Sequence, residues 1–369
     1  MYGPAAFLGG GSGEPGAAVS ESIVISIDAM GGDHGPSVVV PAVAIALERM
    51  RGRKLRFLLF GDEAKLNHEL AKCPAARLVC EVRPTTLVIG MDDKPAHALR
   101  RGKGSSLWNA VEAVKTSEAQ AAVSAGNTGA LMAISKLILR MVAKELDRPA
   151  IVASWPTLRG ASTVLDVGAN VSSDATQLVE FAIMGQAFHR AVHGVAKPSV
   201  GLLNVGSEEQ KGNGEVREAH RLMRDGELPI DYHGFVEGDD IAKGTVDVVV
   251  TDGFSGNIAL KTAEGVARFV RTLLREAFTS TLRAKLGAAV AGPALKKMMA
   301  RLDPANVNGG PLLGLNGIVV KSHGGADARG FANALVVAAN LAQSDYSTEI
   351  NQNMLRLAEV MGREMEGRA

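Results

Sequence analysis

What is scarce in this 369-residue chain narrows its function before any motif is read. There are only two cysteines, Cys73 and Cys80, without CxxC spacing and without a nearby pair of histidines. Neither a zinc site nor a disulfide framework is expected from them; they read as buried free thiols in a reducing cytoplasm. No apolar run approaches the roughly 18 uncharged residues that a membrane-spanning helix needs, and the start lacks the basic segment and apolar core of a secretion signal. Membrane contact, if any, is expected to be peripheral. Charge of one sign is missing too: 40 Lys and Arg against 39 Asp and Glu leave a formal +1, which argues against a global attraction to nucleic acid. The chain has no G-x-S-x-G elbow, no G-x-x-x-x-G-K-[ST] loop and no H-E-x-x-H helix, which sets aside three familiar chemistries. Its G-x-G-x-x-G match, Gly11 to Gly16, has no strand before it and a proline where a helix should begin, so it does not read as a dinucleotide fingerprint. No repeat of solenoid period is apparent.

What is there is a hydrophobic content of 46%, ample for a core, arranged in alternating strand and helix patterns. Residues 1–21 are rich in glycine, alanine and proline and are expected to be a disordered extension. From Ile23 the pattern runs strand (Ile23 to Ile27), helix (Val38 to Met50), strand (Leu55 to Phe60), helix (Glu63 to Lys72) and extended segment (Leu78 to Val82). It continues in this way past Val250. Such alternation predicts one α/β domain over residues 22–369, a doubly wound, mostly parallel sheet with helices on both faces.

Six strand ends run into polar, glycine-punctuated loops. They are Asp28 to Asp33, Ser124 to Gly129, Asp166 to Asn170, Asn204 to Asn213, Thr251 to Asn257 and Lys321 to Asp327. In an open parallel sheet such loops converge on one crevice, so six alike loops predict one site. Its chemistry favours a small anion. Backbone amides at Gly126, Asn127, Thr128 and Gly129 open a helix and form a cradle, and Lys211 supplies a cation. Asn257 is suited to donate to an oxyanion, or equally to cap the following helix. Asp28, Asp33, Asp166 and Asp252 fit as bases, metal ligands or acceptors that orient their loops, and His34 and His323 fit as proton shuttles or polar loop residues.

From 257 to 302 the pattern becomes one long helical stretch, with a break expected around Gly292-Pro293. Arg268, Arg271, Arg275, Arg283, Lys285, Lys296, Lys297 and Arg301 face the single acid Glu276 between 268 and 301. Leu282, Leu286 and Val290 recur at i, i+4, i+8 beside that charge. This suits an anionic membrane or an acidic partner; it also suits a core-facing or dimer-facing hairpin with a solvated basic face. A second basic cluster, Arg100, Arg101 and Lys103, reads as a solvated helix end in preference to a contact for an anionic substrate.

At Asp28-Ala29-Met30-Gly31-Gly32-Asp33-His34, Ser124 to Ala130, Leu165 to Asn170, Leu202 to Gly206, Lys211-Gly212-Asn213 and Thr251 to Asn257, the sequence closely resembles the bacterial phosphate acyltransferases of the PlsX type. The resemblance runs from about Ile23 to the last helix. It departs in the first twenty or so residues, which have no counterpart, and at Gln210, where some members carry a second lysine. It implies a homodimer with a fold similar to isocitrate and isopropylmalate dehydrogenases, carrying a protruding helical hairpin and using no nicotinamide, metal or other cofactor. The implied reaction is attack of inorganic phosphate on the thioester of an acyl-acyl carrier protein, at the service of phospholipid synthesis. Lys211 and Asn257 fall on the family's catalytic positions. Asp28, Asn170, Asp252 and His323 join the Gly126 to Gly129 loop as substrate- or phosphate-binding candidates. Leu282, Arg283, Lys285, Leu286 and Val290 are candidates for contact with membrane or carrier protein. The implied partners are acyl carrier protein, phosphate, and an anionic membrane surface or a membrane glycerol-3-phosphate acyltransferase, at the inner face of the cell membrane; nucleic acid is not among them. A coenzyme A-dependent phosphotransacylase and a non-catalytic membrane scaffold are the alternatives.

Overall fold

In the computed structural model, residues 22–367 are described, apart from 145, 227, 302, 304 and 306. The expected disordered extension, residues 1–21, and its glycine motif lie outside the described residues. Short β-branched and leucine-rich runs ended by glycine or a polar residue form the strands. These are β1 Ile23–Asp28, β2 Leu55–Gly61, β3 Cys80–Pro84, β4 Ala121–Ser124, β5 Ala150–Pro156, β6 Ala161–Leu165, β7 Ser199–Leu203, β8 Asp231–Val236, β9 Val248–Val250, β10 Gly310–Leu313 and β11 Ile318–Lys321. The helices are α1 Pro36–Arg49, α2 Glu63–Lys72, α3 Pro74–Arg77, α4 Pro95–Arg101, α5 Ser106–Lys115, α6 Thr128–Leu139, α7 Ala175–His193, α8 Gly214–Asp225, α9 Gly238–Lys243, α10 Gly253–Thr279, α11 Leu282–Arg301, α12 Ala328–Ala342 and α13 Tyr346–Gly367. Their starts are chemically marked. Ser105, Asn127, Asp174, Asn213, Asp252 and Asp327 each accept a backbone N–H from the first turn of the helix they precede.

All eleven strands belong to one sheet, in the order β3-β2-β1-β4-β11-β10-β5-β6-β9-β7-β8, with helices on both faces. On one face α1 and α12 bury Val39, Val43, Phe331 and Leu335 against Ile25 and Phe57. On the other, Leu107 of α5 and Leu131 and Ile134 of α6 cover Ala122 and Val319. Helix α7 lies almost wholly inside, its Phe181, Ile183 and Phe188 packed with Leu165, Val200 and Val248.

Seven of the ten strand pairings are parallel and three are antiparallel. The three reversals lie together, at β11–β10, β10–β5 and β5–β6. Their number is odd, so β3, β2, β1, β4 and β11 run one way and β6, β9, β7 and β8 run the other. The six loops expected to share one crevice therefore leave their strands in two opposite directions. The loops after β1, β4 and β11 leave one edge of the sheet, and those after β6, β7 and β9 leave the opposite edge. Strand β10, antiparallel to both its neighbours, contributes two reversals that cancel, so it is the antiparallel β5–β6 hairpin that sets the opposite direction.

The helical hairpin is present, but its reversal falls at Ser280–Thr281 and not at Gly292-Pro293, which lies inside α11. Ser280 Oγ donates back to Ala277 O, and Thr281 Oγ1 accepts Ala284 N, so hydroxyls end one helix and start the next. Leu282, Leu286 and Val290 are 77%, 63% and 86% exposed, which excludes the core-facing reading for that stripe. Among the described residues, no helix is long and apolar enough to cross a membrane.

Candidate active site

At the first edge, strand register puts Asp28, Ser124 and Lys321 level on three adjacent strands. Ser124 Oγ donates to Asp28 Oδ2 at 2.7 Å and accepts Gly126 N at 2.9 Å. Asp28 is buried; burial pushes its carboxyl up, opposed by Ser106, Ser124 and the amides of Met30 and Gly31. Ser106 faces Asp28, yet neither its Oγ nor Asp28 Oδ1 completes a well-formed hydrogen bond. Lys321 Nζ donates to Ala125 O and Ser322 O at 3.2 and 2.5 Å. Burial pushes its ammonium down to about 8, while Asp28 and Asp33 favour the charged form and Lys261 of α10 opposes it. Helix α10 thus begins at the second edge and carries Lys261 toward the first. Asp33 lies beside Gly324 and Gly325, its amide bonded to Gly324 O.

The Gly126 to Gly129 cradle is smaller than expected. Gly126 N is taken by Ser124. Asn127 spends its Nδ2 on Met91 O and Asp93 O at 2.6 and 2.9 Å and its Oδ1 on Ala130 N, so its side chain has no donor left for phosphate. The amides of Thr128 and Gly129, the first two residues of α6, have no acceptor within the helix and remain available. His323 is exposed and accepts Gly325 N through Nδ1, which leaves Nε2 as the protonated nitrogen when the ring is neutral.

At the second edge most polar groups are consumed by the loops themselves. Asp166 is fully buried and accepts five N–H bonds, from Ile151, Gly168, Ala169 and Asn170 backbones and from Asn170 Nδ2. Of the three roles open to it, loop orientation is the one its geometry performs. Burial pushes its carboxyl up and those donors hold it down. Asn170, expected to bind phosphate, instead divides its Nδ2 between Pro149 O and Asp166, and no donor is left for a ligand. Asp252 caps α10, accepting Ser255 N at 2.8 Å and Ser255 Oγ at 3.2 Å.

Two groups stand out against that background. The Lys211 backbone is fixed, since Asn204 Nδ2 donates to Lys211 O, Arg217 Nη1 donates to Gly212 O, and Gly212 takes a φ of 89° that favours glycine. Yet Lys211 is exposed and its Nζ has no partner among the described residues. Asn257, on the first turns of α10, is likewise exposed, without a side-chain hydrogen bond among the described residues. Capping, the other role open to it, is done by Asp252. Helix α10 lies close enough to the β6 loop that a Cβ at Gly256 would overlap Asp166 O, and Asn257 then sits against Gly168. Since β6, β9 and β7 are neighbours, Lys211 and Asn257 leave adjacent strands. Lys321 is the residue that the motif reading passed over; a lysine closing the run Ile318-Val319-Val320 at a strand end was the available signal.

The fold is similar to that of solved phosphotransacylases. A phosphotransacetylase from Streptococcus pyogenes superposes with a TM-score of 0.57 over 87% of this chain and 94% of its own, at 17% identity. A branched-chain phosphotransacylase from Enterococcus faecalis gives 0.53 over 87% and 99%, at 13% identity. Sequence narrows this class. The family described as fatty acid synthesis protein matches residues 23–349. A phosphate acyltransferase from Caulobacter vibrioides is 69% identical over 339 residues, 92% of this chain and 93% of the relative. One from Phenylobacterium zucineum is 61% identical, over 92% and 95%. The chain belongs to the phosphate acyltransferase family.

Proposed function

We propose that this protein transfers the acyl group of an acyl-acyl carrier protein to inorganic phosphate, giving acyl phosphate for glycerophospholipid synthesis. The observation that carries the site assignment is the pair Lys211 and Asn257, uncommitted on an edge where neighbouring polar groups are bonded. A phosphate oxygen attacks the thioester carbonyl carbon, forming C–O while the carbonyl electrons move to oxygen. The ammonium of Lys211 and the amide of Asn257 stabilise that oxyanion. Its collapse breaks C–S and expels thiolate, which takes a proton from solvent. A thiol of pKa about 8.5 is a tolerable leaving group and phosphate dianion needs no base, so the work is positioning and charge stabilisation. Phosphate-dependent thiol release with hydroxylamine trapping of the acyl phosphate tests this; no trapped product rejects it. Because the fold neighbours are phosphotransacetylases, acyl-coenzyme A is run beside acyl-carrier substrate, and a preference for the former favours the alternative enzyme.

The same reading makes the enzyme a homodimer, with the likeness to isocitrate and isopropylmalate dehydrogenases that the resemblance implies. Two-fold symmetry lets the Lys211 edge of one chain meet the Thr128–Gly129 edge of the other, which is how groups on opposite edges come to share one substrate. The hairpin rests on an anionic membrane in this reading, its exposed Leu282, Leu286 and Val290 beside Arg283 and Lys285. Liposome co-sedimentation of Leu286→Glu is expected to fall below wild type; equal binding removes the stripe from the argument.

A further inference from the structure

Lys321 is a charged group that neither the motifs nor the family resemblance assigns. Residues paired in register on parallel strands point to one face, so Asp28, Ser124 and Lys321 stand in a row. The face is the one covered by α5 and α6. Ser26, two residues before Asp28, donates to Ala110 O of α5, and Val319, two before Lys321, packs with Leu131 and Ile134 of α6. The ammonium is fixed by two neutral carbonyls, Ala125 O on the turn into α6 and Ser322 O. A lysine has three N–H donors, and two are used. No carboxylate forms an ion pair with it among the described residues. Burial pushes the Asp28 carboxyl up, opposed by its hydrogen bonds to Ser106, Ser124 and the Met30 and Gly31 amides. The groups that set the local charge are Asp28, Asp33 and Lys261, with exposed His323 two residues further on.

We propose that Lys321 is the cation of the phosphate subsite, giving its third N–H to a phosphate oxygen while the amides of Thr128 and Gly129 bind the others. This rests on the acyl-transfer reading and adds to it: phosphate has its own counter-charge at the first edge, leaving Lys211 for the oxyanion. The test measures phosphate KM by thiol release at saturating acyl-carrier substrate, and the rise in Tm on adding inorganic phosphate. Wild type, Lys321→Met and Lys321→Arg are compared from about pH 6.5 to 9.5. Lys321→Met is expected to raise phosphate KM about 10-fold or more, leave carrier KM unchanged and lose the Tm rise. Wild-type phosphate KM is expected to climb above pH about 8, where phosphate is already dianionic, and that of Lys321→Arg to stay flat. A Met variant within about twofold of wild type in phosphate KM and Tm response overturns the proposal. Should that variant not fold, a wild-type pH rise retained by Lys321→Arg overturns it instead. A wild type that binds phosphate through Lys321 but releases no thiol rejects the acyl-transfer reading and leaves the subsite standing.

Discussion

The two edges of the sheet carry loops of the same composition and use them in opposite ways. At the first edge two charged groups, Asp28 and Lys321, are withdrawn from water in line with Ser124, beside the uncommitted amides that open α6. At the second edge the buried carboxylate, Asp166, is saturated by five donors and only builds the loop, while the reactive candidates, Lys211 and Asn257, stand in solvent. Polar strand ends are therefore not evidence of a site by themselves. The useful question is which of their groups have hydrogen-bonding capacity left over.

The comparison is broken most directly at the second edge. Lys211→Ala is expected to lower kcat by about 100-fold or more with an unchanged circular dichroism spectrum, as loss of an oxyanion-stabilising group does. Near-normal turnover would reject the assignment. Mixing comes next: Lys211→Ala and Lys321→Met chains are denatured together, refolded and assayed at phosphate far below the wild-type KM, where each variant alone is impaired. If each site takes one edge from either chain, random pairing restores roughly a quarter of wild-type activity, and if each chain holds its own site it restores none. Asp166→Ala should act on the fold and not on the chemistry, costing about 2–4 kcal/mol in urea unfolding because a buried donor network loses its acceptor. A stable Asp166→Ala protein with lost turnover would give that carboxylate a chemical role.

The smallest effect concerns acid. His189 is buried on α7 against Thr163 of β6, and its imidazole is pushed down to about 4 by burial and by neighbouring His193, against a weaker opposing pull from Asp247. An unfolded histidine titrates near 6.5, so between about 6.5 and 4 the unfolded chain binds the extra proton and stability falls as pH falls. Hydrogen exchange at pH 5 should thus open β6, β7 and β9 before β1 and β4, and His189→Gln should narrow the difference.

Much of the fold was legible because its signals are local. Ser105 and Asp174 mark helix starts through their own side chains, and the runs Ile23 to Ile27 and Leu55 to Phe60 are apolar over a strand's length. Strand β10 was not legible, since Gly310-Pro311-Leu312-Leu313 is four residues long and bracketed by Gly309 and Gly314. Its neighbours β11 and β5, not its own propensity, hold it extended. The side-chain bonds of Asn127 and Asn170 were not legible for a related reason: an asparagine that stitches backbone and one that binds ligand look alike until Met91, Asp93 and Pro149 are seen at the other end of the bond.

By itself the sequence determined most of the elements, the alternating α/β class, the family and the identity of the six polar loops, because each depends on residues close together in the chain. Only the tertiary structure decided which loops share an edge, since the antiparallel β5–β6 hairpin turns every strand beyond it against β1, β4 and β11. It also decided which polar groups remain free, because hydrogen-bond saturation is a property of neighbours that the chain brings from far away.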